Sequence, residues 1–547
     1  MYPDAIYVGN FKAFGQEQKI PIRPITLIYG PNSAGKSSIL HALAMLSKFC
    51  QTGVTNTKEI TLTGNTIHIG DFEDYLHANS NDQKITFGWE YTKKDNLILG
   101  QKITIGRLQS SKISIKKDYN DDVIVNGKCK IMSWRLEENG KNVFQINYDP
   151  KRYKLSIDPK SELIKRSLAL AKIELRKALD EYLENDISNS NQKDVISAIK
   201  DIIFELDHGN ILKDIEKEYR DQVNKCRVSH DSHGLEFQFS LPDTENICKI
   251  NWGYWNNNRS MEVTLDIDIP VDLRSYIRSQ IIKKGAQASV EILEAFIHTC
   301  RPRCDFDQTI YFGKFRQSID LNEIFTSKQL LESKGPHDSV YAKGWCFGET
   351  GISLLNEWLG QTKRPDLEFE LRLLDFLHDV DDTDLDTKYY TIRLFDKKRK
   401  VNVAFDNVGS GIGQIFPVLL AAFNDMHTCI IVEQPELHLH PALQSEIADA
   451  FAICALGKPE EPLYNNFVLE THSEHILLRL MRRIRESTNG TLPSHIPKLT
   501  PKDIAVLYVE PRGTYSVVRE LRLNDQGELI DDWPGGFFEE GLRELLM

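Results

Sequence analysis

The residues Gly30-Pro31-Asn32-Ser33-Ala34-Gly35-Lys36-Ser37 satisfy G-x-x-x-x-G-K-[ST] at every fixed position, the spacing of a phosphate-binding P-loop. The residue types carry the chemistry. Glycines let main-chain N–H groups curl around phosphate oxygens, and the helix that follows adds partial positive charge at its N-terminus. Lys36 is expected to reach the β- and γ-phosphates of ATP, Ser37 to ligate Mg²⁺, and Ser38 to complete the cofactor-binding set. Far downstream, residues 428–436 form an apolar run that ends in acids, with Glu433, Gln434 and Glu436 in sequence. A terminal carboxylate there holds the Mg²⁺ shell, and the next residue orients or deprotonates the attacking water. A second run, 466–470, is followed by Thr471-His472-Ser473-Glu474. A histidine just past a strand end can reach a γ-phosphate. Upstream, Val408-Gly409-Ser410-Gly411-Ile412-Gly413-Gln414 is a glycine-rich turn entering an apolar helix, a second anion-binding geometry. Its candidate ligands are Ser410, Gly411, Gly413 and Gln414.

These residues need a scaffold, and the patterning supplies one. Residues 24–29 read as a buried strand and 38–46 as a helix with an apolar stripe, which is the context a P-loop requires. Residues 83–155 alternate apolar and polar types, with Asn126-Gly127 and Asn139-Gly140 as hairpin signals. From 161 the period becomes helical, and helix is also expected over 192–225 and 272–299, with strand-like alternation over 234–268 between them. Asn, Gly and Asp clusters break these stretches, so the longest unbroken helix is expected to be under about thirty residues, or ~45 Å at 1.5 Å per residue, too short for a long coiled-coil rod. The expected layout is an N-terminal lobe over 1–155, a mainly helical insertion over 156–304 and a C-terminal lobe over 305–547. The insertion is read either as a dimerisation or partner-docking surface or as a structural elaboration.

Taken together, in this order, the motifs resemble an ABC-type ATPase head of the SMC, RecF and OLD kind. "EQPELHLHP" and "ETHSEHIL", with the tail Trp533-Pro534-Gly535-Gly536-Phe537-Phe538, resemble the OLD-like branch. The resemblance implies an α/β P-loop head with a mixed sheet flanked by helices. It covers roughly 1–90 and 305–547. It makes Asn10-Phe11-Lys12 part of a first strand, with Lys12 toward the cofactor, and makes 410–414 the signature turn. It implies a homodimer or higher oligomer, closed by ATP held between Lys36 of one copy and the 410–414 turn of the other. Stand-alone heads of this length resemble the Septu-type anti-phage ATPases. Those pair with a separate HNH-type nuclease subunit and, beside retrons, with a reverse transcriptase and its RNA–DNA hybrid. The alternative is a RecF- or SMC-like repair ATPase that clamps DNA.

Two positions depart from that pattern. Gln434 stands where the family carries a catalytic glutamate, and an amide cannot take a proton from water. Either Glu436 substitutes, or hydrolysis is slow and the protein works as a switch; slow turnover is the expectation. In the signature turn, Ser410 takes the usual serine's part, or backbone N–H groups do the whole job. No Q-loop glutamine is placed, and residues 70–77 lie where that loop would fall. Tyr311-Phe312-Gly313-Lys314-Phe315-Arg316 resembles a segment of this branch that would bring Arg316 to nucleotide or partner; a packing or surface arginine is the simpler reading.

The chain has 547 residues and a formal net charge of -12, which does not suit a generic nucleic-acid binder. DNA contact would need a local basic patch, such as 392–400 or 479–485, although such runs are more often solvated faces. Nine cysteines scattered through a long chain suit a reducing cytoplasm. With no signal-like N-terminus and no run of about eighteen apolar residues, a cytoplasmic protein away from membranes is expected. His298, Cys300 and Cys304 lack an evident fourth zinc ligand, so a zinc site is not expected. After His472 no Asp-x-Asp appears for a metal-dependent nuclease. An ATPase that is not itself a nuclease is the expected activity.

Overall fold

The computed structural model describes residues 3–52, 59–62, 65–70, 72–79, 84–92, 98–107, 129–149, 152–157, 227–231, 234–240, 247–253, 263–266, 309–313, 325–326, 349–362, 368–376, 389–424, 427–457 and 464–534. They fall into two compact units, one of residues 1–50, 56–82 and 304–547, the other of residues 51–55 and 83–303.

The first unit opens with β1 (Ala5–Gly9), β2 (Gln18–Pro21) and β3 (Ile25–Tyr29), followed by α1 (Lys36–Thr52), β4 (Glu59–Leu62), β5 (Asn65–His68) and the short α2 (Phe72–Tyr75). The second unit contains β6 (Lys84–Thr92), β7 (Ile98–Arg107), β8 (Cys129–Glu138), β9 (Lys141–Asp149), β10 (Arg152–Ile157), β11 (Arg227–Asp231), β12 (Gly234–Ser240), β13 (Ile247–Gly253) and β14 (Val263–Asp266). The chain then returns to the first unit with β15 (Thr309–Phe312), β16 (Phe325–Thr326), α3 (Glu349–Thr362), β17 (Phe369–Phe376), β18 (Tyr389–Asp396) and β19 (Val401–Val403). It ends with α4 (Ser410–Asn424), β20 (Cys429–Glu433), α5 (Pro441–Leu456), β21 (Asn466–Glu470), α6 (Glu474–Asn489), β22 (Ile504–Arg512) and β23 (Tyr515–Leu521).

The central sheet has six strands in the order β15-β20-β21-β3-β22-β23. Its first five strands are parallel, and β23 is antiparallel to β22. This is an α/β P-loop fold, a mixed sheet flanked by helices, in which one strand separates the P-loop strand from the acid-ended strand. Every residue of β3 and β20 is buried, as strands covered on both faces must be. Helix α4 is apolar almost all round and buried from Ile415 to Phe423, which marks a helix inside the core. Phe451 of α5 meets Phe467 of β21 at 4.9 Å between ring centroids. Helix α5 starts on Pro441 with the His440 imidazole accepting from the Ala442 amide, a favourable N-terminus for a helix. At the C-terminal end of the described chain, Trp533 packs edge-on to Tyr29 at 5.2 Å and to Tyr508 at 6.0 Å. The tail is therefore tied to the core behind the P-loop strand.

In the second unit, β6 to β10 pair antiparallel in chain order, as the alternation over 83–155 predicts. Asn139 and Gly140 turn the β8–β9 hairpin with φ of 50° and 76°, the signs a type I′ turn needs. Strands β11 to β14 pair likewise. The helices expected over 161–225 and 272–299, the Asn126-Gly127 turn, the His298, Cys300 and Cys304 group, Arg316 and the Gly535–Phe538 part of the tail lie outside the described residues. Among the described residues, no helix is long and apolar enough to cross a membrane.

Candidate functional site

The P-loop lies between β3 and α1, as the motif predicts. Lys36 is only 5% exposed, and its ammonium donates to the carbonyls of Gly30 at 3.0 Å and Pro31 at 2.9 Å. The loop thus wraps its own lysine. Pro31, Asn32 and Ser33 are exposed, and Ala34 and Ser38 are buried. Gly35 has a φ of 98°, and a Cβ there would lie 2.3 Å from the Ala13 Cβ. Only glycine fits this close approach. Ser516 of β23 fastens the loop from below: its hydroxyl donates to the Ala34 carbonyl at 2.7 Å, and its amide to the Ala13 carbonyl at 2.8 Å.

The acids come from the two strands beside β3. Because β21 lies between β3 and β20, its last residue arrives between the P-loop and Glu433. Glu433 and Glu470 are register partners at the ends of parallel strands. Both are buried, at 7% and 2% exposure. The Ser37 hydroxyl donates to Glu470 Oε2 at 2.7 Å. Glu433 instead accepts a hydrogen bond from the Tyr311 hydroxyl. Burial, then the Glu433 charge, push the Tyr311 phenol far above its ordinary range, so it stays a donor. Gln434 has a left-handed backbone, φ 47°, and its amide donates to the Glu470 carbonyl at 2.7 Å. Glu436 accepts from the Thr471 hydroxyl at 2.8 Å and from the His472 amide at 2.7 Å. Its carboxylate holds the His472 segment in place. Ser473 then caps α6, accepting from the Ile476 amide. The Tyr29 hydroxyl, at the end of the P-loop strand, donates to the Ser473 carbonyl at 2.9 Å.

Lys12 was expected on the first strand; it lies just beyond it. Strand β1 ends at Gly9, and Asn10 and Lys12 both have positive φ, 52° and 47°. The loop turns because residues 70–79 dock on it. The Lys12 amide donates to the Tyr75 carbonyl at 2.6 Å, Phe11 bridges to Leu76, and His77 Nδ1 donates to the Lys12 carbonyl at 2.8 Å. This is the segment considered for the Q-loop. Lys12 Nζ donates to His41 Nδ1 at 2.6 Å. An ammonium has no lone pair to offer, so the imidazole accepts and is neutral. Burial, then Lys12, pull His41 down to about 4. Burial also lowers Lys12 itself, opposed by Asp74 and Glu433.

The glycine-rich turn opens α4 at Ser410, as predicted. Ser410 is exposed, and Gly413 and Gln414 are partly so. A Cβ on Gly411 would lie 2.4 Å from the His438 carbonyl oxygen. The turn is therefore packed against the segment that follows Gln434. The basic run 479–485 is divided: Arg482 and Arg485 are exposed, whereas Arg479 and Arg483 are not. Arg479 and Arg483 point inward, to Glu446 and Asp449 of α5, because both lie on the α6 face that packs on α5. At the other basic stretch, Arg399 is exposed and Lys398 pairs with Glu368.

The donor set at the P-loop is all oxygen: the Ser37 hydroxyl and two carboxylates. Among the described residues, no cluster of three or more His, Cys, Asp or Glu side chains forms a metal cage. That combination fits Mg²⁺, which binds through one or two carboxylates and takes its other ligands from water and substrate phosphates. Residues 5–229, which hold the P-loop, match a family model described as "AAA domain". Residues 317–478, which hold the signature turn, Glu433 and His472, match one described as "AAA domain, putative AbiEii toxin, Type IV TA system".

Both stretches that hold the nucleotide-site motifs are thus similar to AAA domains.

Residues 499–547 match a third model, "Protein of unknown function (DUF3696)". No curated protein matches the chain. Among solved structures, an SMC head bound to the C-terminal winged-helix domain of ScpA is 11% identical at a TM-score of 0.41, with 96% of this chain and 99% of that one covered. The SMC head domain from Thermotoga maritima is 8% identical at 0.34, covering 96% and 100%. RecF of the RecFOR pathway is 11% identical at 0.25, covering 94% and 98%.

Two residues of this candidate site are not among those the sequence motifs single out. Glu470 was passed over in favour of the histidine two residues on. Its signal was there: Asn466–Glu470 repeats the pattern of Cys429–Glu433, four residues and then a glutamate. Tyr311 carried no signal, because its role depends on β15 lying beside β20.

Proposed function

We propose that this chain is the ATP-binding, slowly hydrolysing subunit of a bacterial anti-phage complex, and that it controls a separate nuclease through nucleotide-gated assembly. The observation that carries the ATP-binding part is the P-loop's Ser37 hydroxyl bonded to Glu470, with Glu433 beside Glu470 at the end of the neighbouring strand. In this reading Lys36 gives up its loop carbonyls to the β- and γ-phosphates. Ser37 and the acids hold Mg²⁺, which neutralises phosphate charge. Gln434 orients water without accepting its proton, so the closed state persists. The 410–414 turn of a second copy completes the site, and ATP closes the dimer. The defence role rests on the likeness of the 433–441 and 470–477 motifs to Septu-type ATPases, an analogy of family. A separate HNH-type nuclease subunit, and in retron settings a reverse transcriptase with its RNA–DNA hybrid, are the proposed partners. The acidic net charge of -12 speaks against a DNA clamp.

The test is a pull-down of the tagged chain from cells carrying its native gene neighbourhood, with mass spectrometry and nucleic-acid extraction. Recovery of a small nuclease, lost in a Lys36→Ala variant, supports the proposal. Recovery of bulk chromosomal DNA with no nuclease overturns it in favour of a repair-type clamp.

A further inference from the structure

The serine of the P-loop is bonded to an acid that no P-loop motif specifies. Ser37 Oγ donates to Glu470 Oε2 at 2.7 Å, while the hydroxyl that reaches Glu433 is that of Tyr311. Glu470 is 2% exposed. It is positioned by the main chain on both sides: its carbonyl accepts the Gln434 amide, and the next residue's amide, Thr471, donates to the Ile28 carbonyl at 3.1 Å. Strand β21 cannot shift without breaking both links. A hydroxyl has one hydrogen and two lone pairs. With the hydrogen of Ser37 committed to Glu470, its lone pairs are turned away from that carboxylate and left to a cation. Two buried carboxylates at neighbouring strand ends also repel one another, and a divalent ion relieves that repulsion.

We propose that Glu470 is a positioning residue for magnesium: it orients the Ser37 hydroxyl toward the ion and adds a second negative charge beside Glu433. The duty usually given to the acid of one strand is divided between two. The proposal rests on the ATP-binding reading and specifies its metal site. Carboxylates that orient a metal ligand change metal affinity by ~10–100-fold when removed. Glu470→Gln keeps the size and an acceptor but loses the charge.

The experiment is binding of a fluorescent ATP analogue by the full chain, first in EDTA and then along a Mg²⁺ titration. Wild type, Glu470→Gln, Glu470→Asp, Ser37→Ala and the Ser37→Ala/Glu470→Gln double variant are compared. The expected result is an affinity in EDTA that is no weaker than wild type, since a carboxylate that repels metal-free phosphate is removed, and a Mg²⁺ midpoint raised ~10–100-fold in Glu470→Gln, with Glu470→Asp in between. The double variant should be little worse than the poorer single one, since the two residues act on one ion. A Mg²⁺ midpoint equal to wild type, or a loss of equal size in EDTA, overturns the proposal. A wild-type chain that binds no analogue in either condition overturns the ATP-binding reading itself, so the two failures are distinct.

Discussion

Removing the Asp449 carboxylate should loosen α6 from α5. Asp449 is buried, and it takes both Nε and Nη2 of Arg483, at 2.8 and 2.7 Å, with Arg479 Nε at 3.2 Å. Breaking such a buried pair from one side costs ~3–5 kcal/mol, because it leaves charge buried without its partner. Here the lower end applies. Arg483 keeps Glu486 at 2.5 Å, and Arg479 keeps Glu446 at 2.6 Å. At ~1.4 kcal/mol per tenfold, a loss of about 3 kcal/mol is a factor of ~10² in the local opening equilibrium. The assay is hydrogen exchange of α6 amides in Asp449→Ala, read peptide by peptide, since one melting curve for a multi-domain chain mixes transitions. Peptides from α6 should exchange ~10²-fold faster, and those from β6–β9 should not change. An apolar pair, Asp449→Leu with Arg483→Met, should recover most of the protection, because replacing a whole buried ion pair is often neutral. Unchanged protection in Asp449→Ala would refute the reasoning. So would an apolar pair as loose as the single variant, since the cost would then lie in lost shape and not in stranded charge.

Three further outcomes are expected. Gly35→Ala should abolish nucleotide binding in equilibrium dialysis, and Ala13→Gly should not rescue it fully, because the φ of 98° remains strained after the 2.3 Å contact is relieved. His41 is held at about 4 against an ordinary 6.5, so the unfolded chain binds the extra proton. Its destabilising effect is absent above pH 6.5, grows as pH falls toward 4, and at ~1.4 kcal/mol per unit approaches about 3 kcal/mol. Compared with wild type, His41→Gln should therefore lose less stability between pH 6.5 and 4 in denaturant titrations. Gln434→Glu restores a proton acceptor and should raise steady-state ATP hydrolysis by ~10²-fold or more; no increase would place the base elsewhere.

The P-loop was legible because its residues are consecutive and its strand–turn–helix context is local. The same holds for the Asn139-Gly140 hairpin, and for β20 and β21, whose apolar runs and terminal acids lie within five residues each. What stayed hidden depends on neighbours distant in the chain. Glu470 reaches Ser37 across 433 positions, and nothing local says that β21 inserts between β3 and β20. Lys12 left its strand because the loop at 70–79 claims its main chain, a contact that strand periodicity does not encode. The 479–485 run shows a missed local signal. Arg479 and Arg483 are four apart, so they share one helix face, and Asp449 with Glu446 offer acids three apart on α5. Charge density suggested a solvated surface, whereas spacing pointed to a paired interior.

The main-chain links at the ends of the parallel strands have a mechanical consequence. Thr471 is tied to Ile28, and Gln434 to Glu470, so the loops leaving β3, β21 and β20 are joined edge to edge at their roots. Such a seam resists shear between strands far better than it resists tilting as one piece. A load arising at the phosphate loop would then pass to α6 through Tyr29 and Ser473 with little slack.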